Sequence, residues 1–297
     1  SFPTRRSSDL SLKTSLKSSW TILKLIVPIY ILADLLFYYN LLSYITFIFK
    51  PLVNLLELPQ EAALAIVSGL FLNLYAAIAF AAPLGLGAKE WTVLAVFLGI
   101  AHALLVETEI MKRLGISRIY SICLRLGTGL LVGGITSKLP QSWFTSKIDE
   151  DGINLAMNHP QYHSLLELLQ NSLSESLSLS IKVIALVTAL IFFLDFIKSL
   201  AIIEKHSKKI NSGFSILVGV ILGITYGAGI LISEYEKGIL QKKEVLFIGT
   251  YLMICHAIIE DTLLFVIFGA NPWLIVSLRL LFATLVATLI VRYYKTT

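Results

Sequence analysis

Charge and cysteine are both scarce in this chain of 297 residues. Charged residues make up 14% of the sequence and cysteines number two, whereas 56% of the residues are hydrophobic. Soluble domains carry about 25% charged residues, so this composition and a mean hydropathy of +0.81 exclude an ordinary soluble fold. Cys123 and Cys255 both lie inside apolar segments, which excludes a disulfide framework and a CxxC metal site. The sequence predicts an all-α, multi-pass membrane protein embedded in a lipid bilayer.

Motifs for catalysis and for nucleic-acid binding are also missing. The net charge is +5, but the lysines and arginines lie between apolar spans, where they serve to orient those spans, so we expect no nucleic-acid partner. Neither HExxH nor an obvious pairing of nucleophile and base is present. An intramembrane metalloenzyme is therefore the weakest hypothesis, and we expect no enzymatic activity and no cofactor.

One stretch of the chain occurs twice. Residues 99–127 and 253–281 align without a gap, and the same offset pairs residues 89–90 with 243–244 and Gly69 with Gly223. The matched pairs in the stretch itself are His102 and His256, Ala103 and Ala257, Glu107 and Asp261, Thr108 and Thr262, Gly115 and Gly269, and Arg125 and Arg279. The duplication predicts a first repeat at residues 20–138 and a second at 179–297.

The remaining segments flank or separate these repeats. Residues 1–19 form a polar N-terminal segment, of which 1–10 resemble translated adapter sequence and have no helical period. A polar linker is predicted at 139–178, with a short amphipathic helix inside it. Continuous membrane helices are predicted at about 90–111 and 245–267, among others.

Each repeat also contains a glycine-rich segment, at 61–86 and 213–240. If these segments span the membrane, Lys112 and Lys208 lie outside. If they are broken or re-entrant, the basic loops and the N-terminus face the cytoplasm, which the distribution of positive charge favours. Each repeat then crosses three times and the two repeats are inverted, as in secondary transporters with discontinuous helices near mid-membrane. The cytoplasmic (inner) membrane of a bacterium or archaeon is the predicted location.

Ionisable residues inside apolar spans are the candidate functional groups, because each costs about 2.5 kcal/mol or more at the bilayer centre. We place His102 in mid-helix, with Glu109 on its face and Glu107 about 140° around the helix. The candidates for contacting substrate or carrying protons are His102, Glu107, Thr108, His256, Glu260, Asp261 and Thr262. Supporting candidates are Arg125, Arg279, Asp34, Asp195 and Asn73.

Two structural alternatives accompany these assignments. Each histidine could simply hydrogen-bond a neighbouring helix to fix its packing. Arg125 and Arg279 could pair with Glu107 and Asp261, or present paired donors to a substrate.

The segments HALLVETEIMKRLG and CHAIIEDTLLFVIFG, each following a glycine-rich span, resemble the nucleoside-recognition or Gate domain family. That family includes spore maturation membrane proteins, the gate segments of ferrous iron transport protein B and part of the concentrative nucleoside transporters. The resemblance covers nearly the whole chain from about residue 20. It implies an inner-membrane protein with inverted repeats that handles a small polar solute. The chain departs from the iron transporter in lacking a P-loop, and it is shorter than a complete nucleoside transporter.

Two functions follow as hypotheses. The first is a secondary carrier or pore subunit for a small polar solute, nucleoside-like or an ion, with a metal ion included as cargo. The second is a non-transporting scaffold or assembly protein of the spore-maturation type. A homo-oligomer or a partner membrane subunit is compatible with both.

Overall fold

The computed structural model describes residues 5–39, 41, 49–144, 162, 164–199, 216–217, 219–221, 223, 232, 235 and 240–294. All regular secondary structure in these ranges is helical, which confirms the all-α prediction. The α-helices are α1 (Arg5–Tyr38), α2 (Lys50–Leu55), α3 (Ala62–Phe71), α4 (Leu74–Ala81), α5 (Ala88–Ala101), α6 (Leu104–Arg113), α7 (Arg118–Ser137), α8 (Leu165–Ser199), α9 (Lys242–Ile254), α10 (Ile258–Val266) and α11 (Pro272–Tyr293). Short 3-10 helices at Ala82–Leu84 and Gln141–Trp143 follow α4 and α7.

Six helical stretches within the described ranges are long and apolar enough to cross a bilayer. They are Leu12–Tyr38, Ala88–Arg113, Arg118–Ser137, Leu165–Phe193, Lys242–Val266 and Pro272–Tyr293. We call Ala88–Arg113 (α5 and α6) the first broken span and Lys242–Val266 (α9 and α10) the second broken span. Three of the six stretches precede the segment at 145–161 and three follow it.

Two helices begin earlier in the chain than the sequence predicts. Helix α1 already begins at Arg5, within the segment expected to lack a helical period. Helix α8 runs through residue 178, where the linker was expected to end. Residues 165–199 contain neither proline nor glycine, and the hydroxyls of Ser176 and Ser180 donate to carbonyls three or four residues earlier. The serines are thus accommodated within the helix and do not end it.

Helices α1 and α8 pack along each other. The buried carboxylate of Asp34 on α1 accepts a hydrogen bond from the Ser172 hydroxyl on α8. Asp34 is therefore part of a contact between these two helices. Asp195 also belongs to α8, but its side chain lies outside the described residues.

The predicted continuous helices at 90–111 and 245–267 are wrong, because both are interrupted near their middle. Helix α5 ends before His102 and α9 ends before Cys255. Ala103 and Ala257 then adopt left-handed backbone conformations, with φ of 46° and 44°. Such a conformation costs a non-glycine residue roughly 1–2 kcal/mol, so the surrounding structure must impose it.

The two broken spans run in opposite directions. At one end of the pair, Trp91 near the start of the first broken span stacks on Phe268, just beyond the end of the second, with ring centroids 4.3 Å apart. At the other end, Leu114 follows the first broken span and Lys242 begins the second, and both line one cleft of about 310 Å³. This antiparallel arrangement is the one that inverted repeats require.

The first glycine-rich segment is broken as well. Helices α3 and α4 are separated at Leu72 and Asn73, and the Asn73 side chain caps α4 by accepting a hydrogen bond from the Ala76 N–H at 3.0 Å. A Cβ placed on Gly69 would lie 3.1 Å from the Ala77 Cβ, so the two helices fold back on each other. This shape agrees with a re-entrant segment. Most of the second glycine-rich segment lies outside the described residues.

The pairing of Gly69 with Gly223 is wrong. The Gly69 carbonyl accepts a hydrogen bond from the Ala103 N–H at 2.9 Å, and the Gly219 carbonyl accepts one from the Ala257 N–H at 3.4 Å. Gly219 is thus the structural counterpart of Gly69. The shift of four residues is about one helical turn, which keeps the glycine on the same helix face.

We expect Ala103→Gly to leave the protein unchanged or to stabilise it by up to about 1 kcal/mol, because glycine relieves the left-handed strain. The matched control, Ala95→Gly in the middle of α5, should destabilise it by about 1 kcal/mol. Denaturant unfolding in detergent micelles measures both free energies. Equal losses from the two substitutions would contradict a left-handed break at residue 103.

Candidate functional site

The two matched histidines meet at the helix breaks. The His102 and His256 rings lie with their centroids 5.2 Å apart, and the residues are 9% and 2% exposed. One comes from each broken span, so the contact joins the two halves of the chain. The duplication predicted the residues, and the structure brings them together.

The backbone fixes the orientation of both rings. His102 Nδ1 lies 2.8 Å from the Leu98 carbonyl oxygen, and His256 Nδ1 lies 2.8 Å from the Leu252 carbonyl oxygen. A carbonyl oxygen only accepts hydrogen bonds, so each Nδ1 must carry the proton. In the neutral ring, Nε2 is then an acceptor with a free lone pair.

Both Nε2 atoms face the same carboxylate oxygen. Glu107 Oε1 lies 3.3 Å from His102 Nε2 and 3.2 Å from His256 Nε2. The predicted placement of Glu109 on the face of His102 is wrong, since Glu109 is exposed and accepts a hydrogen bond from Arg118 at 2.9 Å. The left-handed turn at Ala103 interrupts the helical period and brings Glu107 back to the histidine.

Arg125 satisfies backbone carbonyls at the break in the first broken span. Its Nε donates to the Ile100 carbonyl at 2.8 Å and its Nη2 donates to the His102 carbonyl at 2.7 Å. Carbonyls at the end of a helix have no partner within that helix. The guanidinium replaces the bonds that the interrupted helix cannot make.

Arg279 satisfies the corresponding backbone carbonyls in the second broken span. Its Nε donates to the Ile254 carbonyl at 3.2 Å and its Nη2 to the His256 carbonyl at 2.8 Å. The same Nη2 also lies 2.6 Å from the Gly99 carbonyl in the opposite half. A Cβ on Gly99 would lie 3.0 Å from Arg279 Nη1, so only glycine allows this close approach without displacement.

Each arginine also pairs with the acid of its own repeat. Arg125 Nη2 lies 2.7 Å from Glu107 Oε2, and Arg279 Nη1 donates to Asp261 Oδ2 at 3.1 Å. Both guanidinium groups are fully buried. Two roles were expected for the arginines, and the observed geometry is that of structural pairing with the acids.

The threonines of the motif, Thr108 and Thr262, are buried. The hydroxyls of Thr108 and Thr262, and Nη1 of Arg125, make no hydrogen bond within the described part of the chain. All three belong to the duplicated motif around the breaks. Buried polar groups are normally satisfied, so these atoms are available to water or a ligand.

Glu260 stands apart from the histidine cluster. Its carboxylate accepts a hydrogen bond from the Tyr75 hydroxyl at 3.1 Å, which links the second broken span to the first glycine-rich segment. Asn73, a predicted supporting residue, caps the helix that carries Tyr75. Sequence reasoning missed Tyr75, and its only signal is its place in the glycine-rich segment.

Comparison with known proteins gives one extended similarity. The chain is 26% identical over 295 residues to the uncharacterized membrane protein YvoD of Bacillus subtilis (strain 168), covering 96% of this chain and 94% of that protein. This chain is a multi-pass membrane protein. No family model and no solved structure matches it. The apolar spans and the similarity to a bacterial membrane protein both place it in a lipid bilayer.

Replacing Arg279 with glutamine should destabilise the membrane protein by about 3–5 kcal/mol, because the guanidinium is the partner of Asp261 and of three backbone carbonyls. The matched control is Arg292→Gln at the exposed end of α11, which should change stability by less than about 0.5 kcal/mol. Denaturant unfolding in detergent measures both values. A loss below 1 kcal/mol for Arg279→Gln would show that the guanidinium does not hold the break.

Proposed function

We propose that this protein is a membrane carrier or pore-forming subunit for a small polar solute or an ion. Its site is formed by the two helix breaks, between inverted repeats. The observation that carries the proposal is the contact between His102 and His256, one from each antiparallel broken span, in the middle of segments that are otherwise apolar.

The physics of the bilayer supports this assignment. Irregular backbone within the hydrocarbon region is tolerated only where protein buries it or where it lines a polar cavity. Secondary transporters place their sites at such discontinuous helices, where two repeats meet. The cluster is buried in the described state, so access from either side requires one repeat to move relative to the other.

Unpartnered polar atoms supply groups that could contact a solute. A buried hydroxyl without a hydrogen bond costs about 1–3 kcal/mol, and the Thr108 and Thr262 hydroxyls have no partner among the described residues. A bound solute or water that reached them would recover it. Their equivalence in the two repeats suits a site that uses both halves.

The resemblance to the nucleoside-recognition or Gate family agrees with this proposal. The resemblance favours the cytoplasmic membrane as its location, and the distribution of positive charge favours an N-terminus on the cytoplasmic side. The bacterial membrane protein from Bacillus subtilis is similar over nearly its whole length, which is consistent with this location. The family leaves the solute open between a nucleoside-like molecule and an ion.

A scaffold function is the second candidate, and one observation favours it. Arg125 and Arg279 are used within the protein, each holding two or more backbone carbonyls and one carboxylate. Two structural contacts of this kind, one in each repeat, would be enough to hold the helices together without any flux. The scaffold predicts that substitutions at the breaks change stability alone.

Uptake into proteoliposomes tests the carrier proposal. The panel comprises radiolabelled uridine and adenosine, with zinc and cobalt followed by an internal fluorescent chelator, under an imposed proton or sodium gradient. We expect uptake of one class above protein-free vesicles, reduced at least tenfold by His102→Ala combined with His256→Ala. Glu109→Gln, an exposed acid on α6, should retain the flux.

Two results would contradict the proposal. Flux that is unchanged in the double histidine variant would reject the assigned site. Absence of flux for the whole panel, from protein that remains monodisperse after reconstitution, would favour the scaffold.

A further inference from the structure

His102, Glu107 and His256 bring three potential ligand atoms close together between the two broken spans. The two Nε2 atoms and a Glu107 carboxylate oxygen all lie within 4.8 Å of one another, and all three residues are buried. We infer that these three side chains bind a divalent transition-metal ion such as Zn²⁺ or Co²⁺. This inference deepens the proposed function. It rests on that proposal only where it identifies the bound ion as the transported ion or the coupling ion.

The arrangement of lone pairs requires a cation. The Leu98 and Leu252 carbonyls hold a proton on each Nδ1, so in their neutral form both rings present Nε2 lone pairs to Glu107 Oε1. Three electron-rich atoms facing one another in a water-poor interior repel unless a positive charge lies between them. A proton or a metal ion would satisfy that requirement.

The distances favour the metal over the proton. A proton shared between imidazole and carboxylate gives a short, charge-assisted hydrogen bond of about 2.7–2.9 Å. The observed Nε2 to Oε1 distances are 3.3 Å and 3.2 Å. Ligands bonded at about 2.0–2.1 Å to a tetrahedral ion lie about 3.3 Å apart, which is close to the distance from each Nε2 to Oε1.

The outer contacts are also those of a metal site. Histidine ligands of metals commonly donate their second ring nitrogen to a backbone carbonyl, and the ligating carboxylate is itself held by a neighbour. Leu98 and Leu252 supply the carbonyls, and Arg125 holds Glu107. These contacts fix the three ligand atoms before an ion arrives.

The donor set selects the class of ion. Two imidazole nitrogens and one carboxylate oxygen suit Zn²⁺, Co²⁺ and other first-row divalent ions, whereas Mg²⁺ and Ca²⁺ require oxygen ligands. Three protein ligands leave a position open for water or an exchanging ligand, which a transported ion needs in order to leave.

The surrounding charges are compatible with a bound cation. Arg125 and Arg279 are each paired with an acid, Glu107 and Asp261 respectively, so the two ion pairs add no net positive charge that would oppose a bound cation.

Metal binding is measured on the purified full chain in lipid nanodiscs, without a histidine tag and after removal of bound metal with EDTA. We expect one Zn²⁺ per chain by mass spectrometry of the metal. Co²⁺ should give visible absorption bands of a four- or five-coordinate site, and Zn²⁺ should displace them. Each of His102→Ala, His256→Ala and Glu107→Gln should weaken binding by about 100-fold or more, because loss of a ligand costs at least as much as loss of a residue that orients one.

Two controls separate this site from the rest of the chain. Glu109→Gln removes an exposed acid two residues from Glu107 and should leave the affinity unchanged. A combined variant, His159→Ala with His163→Ala and His206→Ala, removes the other three histidines and should retain one Zn²⁺ per chain.

Wild-type protein that binds neither ion would overturn the inference and leave a proton as the cation of the cluster. Binding that survives His102→Ala combined with His256→Ala would overturn it as well. If the histidine variants do not remain monodisperse, the wild-type Co²⁺ spectrum and its loss in Glu107→Gln decide the question. Metal binding without flux would reject the carrier proposal but not the metal site. Nucleoside flux that depends on the histidines, in a protein that binds no metal, would reject the metal site but not the carrier proposal.

Discussion

Two buried guanidinium groups hold the backbone where the central membrane spans are broken. An interrupted helix in hydrocarbon leaves carbonyls that no water can reach, at a cost of several kcal/mol each. Arg125 and Arg279 donate to those carbonyls and also neutralise the acid of their own repeat. Each arginine therefore stabilises both the interrupted helix and the buried carboxylate next to it. The rest of the site depends on these two contacts of each arginine. Without them, neither the left-handed turn nor the buried, ionised carboxylate would be stable.

The duplicated motif produces one cluster rather than two. Glu107 is longer than Asp261 by one methylene group, and its carboxylate lies within 3.3 Å of both histidines while still contacting Arg125. Asp261 pairs with Arg279, which also binds the Gly99 carbonyl across the interface. The two repeats are nearly symmetric, but this small difference in side-chain length gives a single asymmetric cluster. The cluster contains side chains from both halves of the chain.

The glycine-rich segments are tied to this centre through the backbone. Gly69 and Gly219 accept the N–H groups of the two left-handed alanines, and Tyr75 donates to Glu260. Movement of the first glycine-rich segment would remove a hydrogen bond from the first break and another from the second broken span. In the proposed carrier, a movement that opens a path to the cluster would therefore break the hydrogen bonds that stabilise its buried form.

The sequence alone determined the helical class, the membrane environment, and the identity of the matched histidines, acids and arginines, because composition and an ungapped duplication are visible without a structure. The tertiary structure decided the breaks at Ala103 and Ala257. Alanine is the strongest helix former, so no local signal marks it as a left-handed residue. The turn is imposed by the Gly69 and Gly219 carbonyls and the buried arginines. The placement of Glu107 rather than Glu109 beside His102 follows from that turn, since helical periodicity does not continue through a broken helix.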